Sequence, residues 1–345
     1  MANQPKIDIR TSPYIRKAPT VAEIMRNVVY ALLPLAAYAV YQFGISALAL
    51  MVVTVLSCIG TEHLFCKLQD KKTTIGDASA IITGLLLAMT LPPGFPLWMG
   101  AVAGFIAIAM GKTLFGGIGF NVFNPALVGR AFIQATFPVS ITTWTPALAT
   151  NRFVEFIPST LALPFMKPAA TAEWTAQVSV DGFTGATPLA LMKFQGIMTD
   201  SYDLFLGLTA GSAGETSSLL ILICGAYLIA KKMLDWRIPA AVILGTVIAA
   251  ECFYLMDSTQ YPSPAFMIFS GGLIFAAVFM ASDMVASPVT PMGILVFGLL
   301  VGFLTVIIRL FGGLTEAVMY AILFGNAATP LIESYTQPRI YGGKK

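Results

Sequence analysis

Ten apolar segments, separated by short polar connections and one longer polar interval, constrain this 345-residue chain more than any other feature. They lie at about residues 27–43, 45–66, 78–91, 97–114, 122–137, 214–230, 238–256, 265–282, 292–310 and 314–331. Hydrophobic residues make up 57% of the chain and charged residues only 11%, whereas soluble domains carry about 25% charged residues. The sequence therefore predicts an all-α polytopic membrane protein with about ten transmembrane segments.

Several of these segments are shorter than the roughly 20 residues that a plain spanning helix needs. Segment 78–91 ends at Leu91-Pro92-Pro93-Gly94, and Asn124-Pro125 places an N-cap residue before a proline at the first helical position. Short segments broken by glycine and proline are typical of discontinuous helices around a protein-lined cavity. We therefore expect some of the helices to be broken.

Short matches between the two parts of the chain indicate an internal repeat. Phe115-Gly116-Gly117 follows the fourth segment, and Phe311-Gly312-Gly313 follows the ninth. Glu62 lies near the end of the second segment and Glu251 near the end of the seventh. With five segments in each half, the halves would have opposite orientations in the membrane, as in many transporters.

The positions of lysine and arginine predict the orientation of the chain. Both termini come out on the cytoplasmic side, and Arg309 is the only clear exception to the rule. The predicted parts are a cytoplasmic tail 1–26, a first transmembrane half 27–137, a periplasmic loop 138–202, a second transmembrane half 203–331 and a cytoplasmic tail 332–345.

The composition excludes several kinds of site. The four cysteines are scattered without a CxxC pair, and His63 is the single histidine. We therefore expect no iron–sulfur or other metal site within this chain. A net charge of +3 does not favour binding to nucleic acid, and no glycine-rich dinucleotide fingerprint follows a strand.

The periplasmic loop contains the stretch Asp181-Gly182-Phe183-Thr184-Gly185-Ala186-Thr187-Pro188. Pro188 favours an extended backbone at Thr187, and the two glycines permit tight turns. These residues predict an exposed hydroxyl with little side-chain bulk around it. On its own the stretch is also compatible with an ordinary surface turn.

The same stretch resembles the acceptor signature Asp-x-x-[Ser/Thr]-Gly-Ala-Thr of bacterial ion-pumping redox complexes. The matching residues are Asp181, Thr184, Gly185, Ala186 and Thr187. The chain is similar over nearly its whole length to the family of the D subunit of the Rnf complex, which includes the B subunit of the sodium-pumping NADH:quinone reductase. The resemblance implies that a flavin transferase joins FMN to Thr187 through a phosphoester bond.

The resemblance also implies a function and partners. The chain would be a subunit of an inner-membrane complex that exchanges electrons between NADH and ferredoxin while moving Na⁺ or H⁺. It would act with other membrane subunits, a second flavin-bearing subunit and the subunits that react with NADH and ferredoxin, and would not be a complete enzyme alone. Relatives of the quinone reductase type also bind riboflavin without a covalent link, but no residue of this sequence fixes such a site.

Three further features are candidates for function. Glu62 and Glu251 are ionisable groups in or beside membrane segments, so they are candidates for an ion path. For Glu62, which stands beside His63 and just before a basic loop, we expect instead a hydrated position at the interface. Arg130, inside an apolar segment, needs a partner, and the FMN phosphate on Thr187 would serve. The stretch from Gly116 to Pro125 is either an ordinary hairpin or a place for an anion or a second flavin.

A different class of function stays open. Inverted repeats with broken helices also occur in solute channels and transporters of the urea-channel type. Such a protein would need no flavin on Thr187, and a purely structural membrane anchor would need none either.

Overall fold

The computed structural model describes residues 20–71, 73–166, 168, 171, 174, 186–207, 211–215, 217–258 and 260–338. Within these ranges the protein is helical and has no strand. The helices are α1 Val21–Phe43, α2 Ile45–Leu68, α3 Ser79–Thr90, α4 Leu97–Ile108, α5 Pro125–Thr136, α6 Pro138–Ile141, α7 Pro188–Gln195, α8 Ser201–Leu206, α9 Ser218–Ala230, α10 Arg237–Met256, α11 Pro264–Phe269, α12 Leu273–Phe275, α13 Pro291–Phe311 and α14 Val318–Thr336. The π-helical turns Ala109–Thr113 and Ala276–Met280 continue α4 and α12.

A helix lies at each of the ten predicted apolar segments, and the eighth is broken between α11 and α12. Four helices, α1, α2, α10 and α13, are long and apolar enough to cross a membrane. Three others, α3, α9 and α4 with its π turn, are apolar but shorter. These features fit a polytopic membrane protein, while the count of ten spans, the side of each loop and the domain boundaries stay predictions.

Local sequence explains where the broken helices begin and end. The side-chain oxygen of Asn124 accepts hydrogen bonds from the amides of Ala126 at 3.0 Å and Leu127 at 3.4 Å, which confirms it as the N-cap of α5. Helix α3 ends at Thr90, directly before Leu91 and the two prolines. The first helix begins earlier than its apolar segment, at Val21, because Thr20 caps it by accepting from the amide of Glu23.

The two halves repeat one pattern of packing. In the first half α2 packs on α3 and α4, and α4 packs on α5; in the second half α10 packs on α11 and α13, and α13 packs on α14. The halves meet where α1 contacts α9 and where α5 contacts α14. This arrangement supports the predicted internal repeat, although the opposite orientation of the halves is not tested by it.

Helices α10 and α13 pack closely against each other through glycines. A Cβ on Gly245 would lie 2.7 Å from the carbonyl oxygen of Leu299, and a Cβ on Gly302 would overlap the carbonyl oxygen of Val242. Lipid tails are as apolar as the surface of such a helix, so moving that surface from lipid into a helix contact gives little free energy. Close packing of small residues therefore holds membrane helices together.

We therefore predict that Gly302→Val lowers the midpoint of thermal unfolding in detergent. The added side chain has to push α10 away from α13, and overpacking of this kind costs about 1–3 kcal/mol. The matched control is Gly60→Val on α2, because nothing lies within 4 Å of a Cβ at that position. Equal midpoints for the two variants would contradict this account of the contact.

Candidate functional site

Thr187 is the N-cap residue of α7. Its backbone is extended, with φ −73° and ψ 158°, as the following proline predicts. Its Oγ1 accepts a hydrogen bond from the amide of Ala190 at 3.3 Å. The side chain is 3% exposed, so the expectation of an exposed hydroxyl is wrong for this conformation. The cause is the packing of α7 onto the helical bundle, which the local sequence does not reveal.

Two side chains hold α7 in place. Leu189 is buried with Leu204 and Phe266. Lys193 donates hydrogen bonds from Nζ to the carbonyl oxygens of Arg309, at 2.8 Å, and Gly312. These carbonyls belong to the last turn and the C-cap of α13, where a lysine satisfies free acceptors and the helix dipole favours positive charge. The N-terminus of α7 is thus fixed to the second half of the bundle.

Only part of the acceptor pattern can be placed. Ala186 is half-buried and directly precedes Thr187. Asp181, Thr184 and Gly185 lie outside the described residues, so their predicted roles at the site stay predictions.

Arg130 lies on α5 and is buried. Its guanidinium donates to the carbonyl oxygen of Thr90 and to Glu316 Oε2, and its NH1 lies 3.7 Å from Glu215 Oε1. The requirement for a partner is therefore met inside the bundle, by two carboxylates of the second half. Among the described residues, none of these partners belongs to the Thr187 helix.

Arg309 completes a group of four charges, which we name the Arg130 cluster: the buried Arg130 and Arg309 and the largely buried Glu215 and Glu316. Arg309 is 2% exposed and donates to the carbonyl oxygens of Met267 at 2.6 Å and Ser270 at 3.0 Å. Its burial explains why it departs from the charge rule for loops: it is an internal side chain and not a residue at the membrane surface. All four members line one cavity of about 10 Å³, room for about one water molecule.

Sequence reasoning missed both carboxylates of the cluster. Glu215 and Glu316 lie near the starts of the sixth and tenth apolar segments, at 214–230 and 314–331. The rule that singled out Arg130, an ionisable residue inside an apolar segment, would have singled them out as well. Their pairing with Arg130 depends on contacts 85 to 186 residues apart in sequence, which no local pattern shows.

The two predicted ion-path residues lie in different surroundings. Glu62 is 3% exposed, and its Oε1 accepts from Lys112 Nζ at 2.8 Å and from the hydroxyl of Thr74. The interpretation of Glu62 as a hydrated interfacial group is therefore wrong, because Lys112 compensates its charge inside the protein. Glu251 is exposed on α10, so the two residues do not form an equivalent pair.

A larger cavity of about 140 Å³ lies between the halves, and we name it the Lys112 cavity. Its polar lining consists of Ser79, Thr83, Lys112, Asn121, Asn124, Ser282 and Asp283. The amide nitrogen of Asn121 lies 3.3 Å from Asp283 Oδ2. Burial raises the pKa of Asp283, and hydrogen bonds from Val285 and Asn121 oppose that rise.

The stretch from Gly116 to Pro125 contributes Ile118, Asn121, Asn124 and Pro125 to the wall of the Lys112 cavity, so this hairpin borders a polar space. Near the start of α3, Asp77 Oδ1 accepts a hydrogen bond from the amide of Ser79 at 2.9 Å. Within the described residues no group of three or more histidine, cysteine or acidic side chains converges on a possible metal position.

We predict that Arg130→Met destabilises the folded chain by about 3–5 kcal/mol, because Glu316 loses its ion-pair partner and two largely buried carboxylates are left with Arg309 as the cluster's one cation. The measurement is thermal unfolding of purified protein in detergent. Arg237→Met is the matched control, since Arg237 is exposed at the start of α10. A midpoint for Arg130→Met equal to that of the control would contradict the role given to the cluster.

The chain matches known proteins along nearly its whole length. A sequence model of the NQR2, RnfD, RnfE family matches residues 8–342. The chain is 41% identical to the D subunit of the Na(+)-translocating ferredoxin:NAD(+) oxidoreductase complex of Acetobacterium woodii, covering 99% of this chain and 98% of that relative. It is 39% identical to the D subunit of the proton-translocating ferredoxin:NAD(+) oxidoreductase complex of Clostridium ljungdahlii, covering 98% and 96%. A third relative, the D subunit of the ion-translocating oxidoreductase complex of Alcanivorax borkumensis, is 36% identical, covering 97% and 96%.

Because each match spans almost all of both proteins, the apolar segments, the Thr187 region and the buried charges all lie within the compared part. The chain belongs to the NQR2, RnfD, RnfE family.

Proposed function

We propose that this chain is the flavin-bearing membrane subunit of a multi-subunit ion-translocating oxidoreductase complex, with FMN joined through its phosphate to Thr187. The observation that carries the proposal is the position of Thr187. In a chain with the complete acceptor pattern, this hydroxyl lies at the N-terminus of an eight-residue helix that is anchored to the bundle.

The residues around Thr187 fit a phosphoester. The N-terminus of α7 places the positive end of the helix dipole at this point, which favours a phosphate group. The amide of Ala190 already donates to Thr187 Oγ1. Lys193 keeps the helix fixed to α13, so a group bound at residue 187 would have a defined position.

The burial of Thr187 has a consequence for attachment of the flavin. A transferase cannot reach a hydroxyl that is 3% exposed. We infer that the bond forms before α7 packs on the bundle, while Leu189 and Lys193 are still free. Packing afterwards would leave the phosphate at the helix N-terminus.

FMN supplies one- and two-electron redox chemistry when bound, and the protein positions it and sets its electrostatic surroundings. Two relatives are named as complexes that connect ferredoxin and NAD(+), and we propose the same exchange of electrons here. The partners would be other membrane subunits, a second flavin-bearing subunit, the NADH- and ferredoxin-reacting subunits and, for maturation, a flavin transferase. The proposed location is the bacterial inner membrane, with both termini cytoplasmic and the Thr187 region periplasmic.

The nature of the transported ion does not follow from similarity. The relative named for Na⁺ is 41% identical and the relative named for protons is 39% identical. Glu251, exposed on α10, and the buried Glu62 stay candidates for an ion path. Arg130 stays a candidate for the flavin site. Because its guanidinium is already bonded within the Arg130 cluster, we propose that it acts on the flavin site through the cluster and does not contact the phosphate directly.

The alternative function is a solute channel of the urea-channel type. The Arg130 cluster argues against it, because four charged side chains fill the space beside the ends of the broken helices α3 and α11. A purely structural anchor has no use for the acceptor pattern.

We predict that Thr187→Val removes the fluorescent band that the chain shows on a denaturing gel under ultraviolet light after co-expression with a flavin transferase. Valine keeps the shape of threonine but has no hydroxyl to form the phosphoester. The matched control is Thr150→Val, an exposed threonine in the same predicted loop, which keeps the band. A fluorescent Thr187→Val protein would disprove the acceptor assignment.

A second arm of that experiment tests the order of events. Transferase added to the purified, folded and unmodified chain should label Thr187 much more weakly than co-expression does. Equal labelling would show that α7 leaves the hydroxyl accessible, without affecting the assignment of Thr187.

We also propose that the Lys112 cavity holds a second, non-covalent flavin such as riboflavin. The cavity, at about 140 Å³, combines apolar walls from Ile82, Leu86 and Phe279 with the polar groups of Asn121 and Asp283. The pyrimidine edge of a flavin ring alternates carbonyl acceptors with an N–H donor, and an amide beside a carboxyl group can pair with such an edge.

We predict that Asn121→Leu weakens binding of the cavity flavin about 5- to 150-fold and so lowers the amount of flavin extractable from the purified complex, since a lost hydrogen bond to a buried polar group costs roughly 1–3 kcal/mol. Extraction with acid followed by fluorescence measures it. The covalent band at Thr187 is the internal control and should be unchanged. Unchanged extractable flavin would remove Asn121 from the site.

A further inference from the structure

A buried ion pair joins α2 to the π turn after α4. Lys112 Nζ lies 2.8 Å from Glu62 Oε1 and 2.6 Å from the hydroxyl oxygen of Ser79. Both charged side chains are almost completely buried. The second carboxylate oxygen, Glu62 Oε2, is buried and has no hydrogen-bond partner among the described residues. The carboxylate is therefore stabilised mainly by Lys112, with help from the hydroxyl of Thr74.

Lys112 also forms part of the wall of the Lys112 cavity, together with Ser79. It stands on the π-helical turn Ala109–Thr113, a type of helix distortion that is frequent at functional sites. A lysine has a flexible four-carbon stem that ends in a compact charge. The ammonium group of Lys112 lies between a buried carboxylate on one side and a polar cavity on the other.

The described residues place several other ionisable groups near the pair, and none of those is a lysine or an arginine. Asp77 accepts a hydrogen bond from the Ser79 hydroxyl at 2.6 Å, and Asp283 stands on the cavity wall. On α2, Cys58 is buried close enough to interact electrostatically with both Glu62 and Lys112. Cys66 lies 3.9 Å from the hydroxyl of Thr74, and His63 is exposed. Lys112 is therefore the cation on which Glu62 depends.

We propose that Lys112 and Glu62 form a proton-binding switch that responds to negative charge in the Lys112 cavity. Negative charge in the cavity draws the ammonium group away from Glu62. The carboxylate, now buried without a cation, takes up one proton from water and becomes a neutral carboxylic acid. When the negative charge leaves, Lys112 returns and Glu62 releases the proton.

The energetic reason is the cost of an unpaired buried charge. Removing the cation from a buried ion pair costs several kcal/mol, and protonation of the carboxylate avoids that cost. One proton enters for each negative charge that arrives, so the total charge of the region is conserved. A proton fits this position better than a metal ion, since the described residues bring no cluster of three or more acidic, histidine or cysteine side chains together here.

This inference rests on the proposed second flavin, because electrons arriving at a redox group in the cavity would supply the negative charge. It gives Glu62 a specific part in coupling electron transfer to proton movement. Glu251, exposed on α10, has no part in the switch.

The test is infrared difference spectroscopy on the purified complex, reduced minus oxidised, in H₂O and D₂O. The wild-type complex should gain a carboxylic acid carbonyl band on reduction, and the band should shift in D₂O. Glu62→Gln should lose that band. Glu155→Gln, at an exposed carboxylate to which no role is assigned, is the matched control and should keep it. A wild-type band that survives in Glu62→Gln overturns the proposal.

Two variants of Lys112 complete the design. Lys112→Met should leave Glu62 protonated in both redox states, so the band should disappear from the difference spectrum. Lys112→Arg keeps a cation on the same turn, should fold as the native chain does, and should keep the band. A Lys112→Met complex that shows the full wild-type band overturns the switch, as does a Lys112→Arg complex that folds and lacks it.

The amount of extractable flavin distinguishes a failure of the switch from a failure of the proposed second flavin. Extractable flavin is measured in every sample beside the infrared spectrum. A wild-type complex with extractable flavin and no carboxylic acid band overturns this inference alone. A wild-type complex without extractable flavin overturns the proposed second flavin and the switch with it, while the covalent band reports on Thr187 separately.

Discussion

The arrangement of the two halves depends on the ion pairs that the buried guanidinium of Arg130 forms between them. The guanidinium comes from α5 of the first half and pairs with Glu316 and Glu215 of the second. It also binds the last carbonyl of α3, where a broken helix would otherwise leave a free acceptor inside the protein. Arg309 does the same for the end of α11 in its own half. In each half, an arginine thus donates hydrogen bonds to carbonyl oxygens at the end of a broken helix.

The helices could be predicted from sequence because hydropathy, proline and capping residues act over a few neighbouring positions. Asn124-Pro125 predicts the start of α5, and Pro92 predicts the end of α3, because both signals fix local backbone geometry. The side of the membrane on which each loop lies depends on the membrane itself, and the geometry of a few neighbouring residues carries no information about it. The resemblance carried by the Thr187 pattern led to the family, and the comparisons confirm it.

The sites could be predicted only in part, because burial and pairing are tertiary properties. The extended backbone of Thr187 follows from Pro188, but its burial accompanies packing of α7, in which Lys193 contacts carbonyls more than a hundred residues away. Glu62 was expected at a hydrated interface because a basic loop follows it, and the structure places it inside against Lys112. In both cases contacts between residues far apart in sequence form part of the surroundings of the functional group.

Helix α3 connects the two charged regions of the protein. At its start the hydroxyl of Ser79 accepts from Lys112, and at its end the carbonyl of Thr90 accepts from Arg130. Its twelve residues span about 18 Å at 1.5 Å per residue. A short helix bonded at both ends is one kind of rigid element through which two sites can be coupled. In the proposed switch, movement of Lys112 away from Glu62 would also loosen its hydrogen bond to Ser79 at one end of α3, while the Arg130 cluster, which joins the halves, holds the other end. A charge arriving in the Lys112 cavity would therefore act on the contact between the halves through this helix.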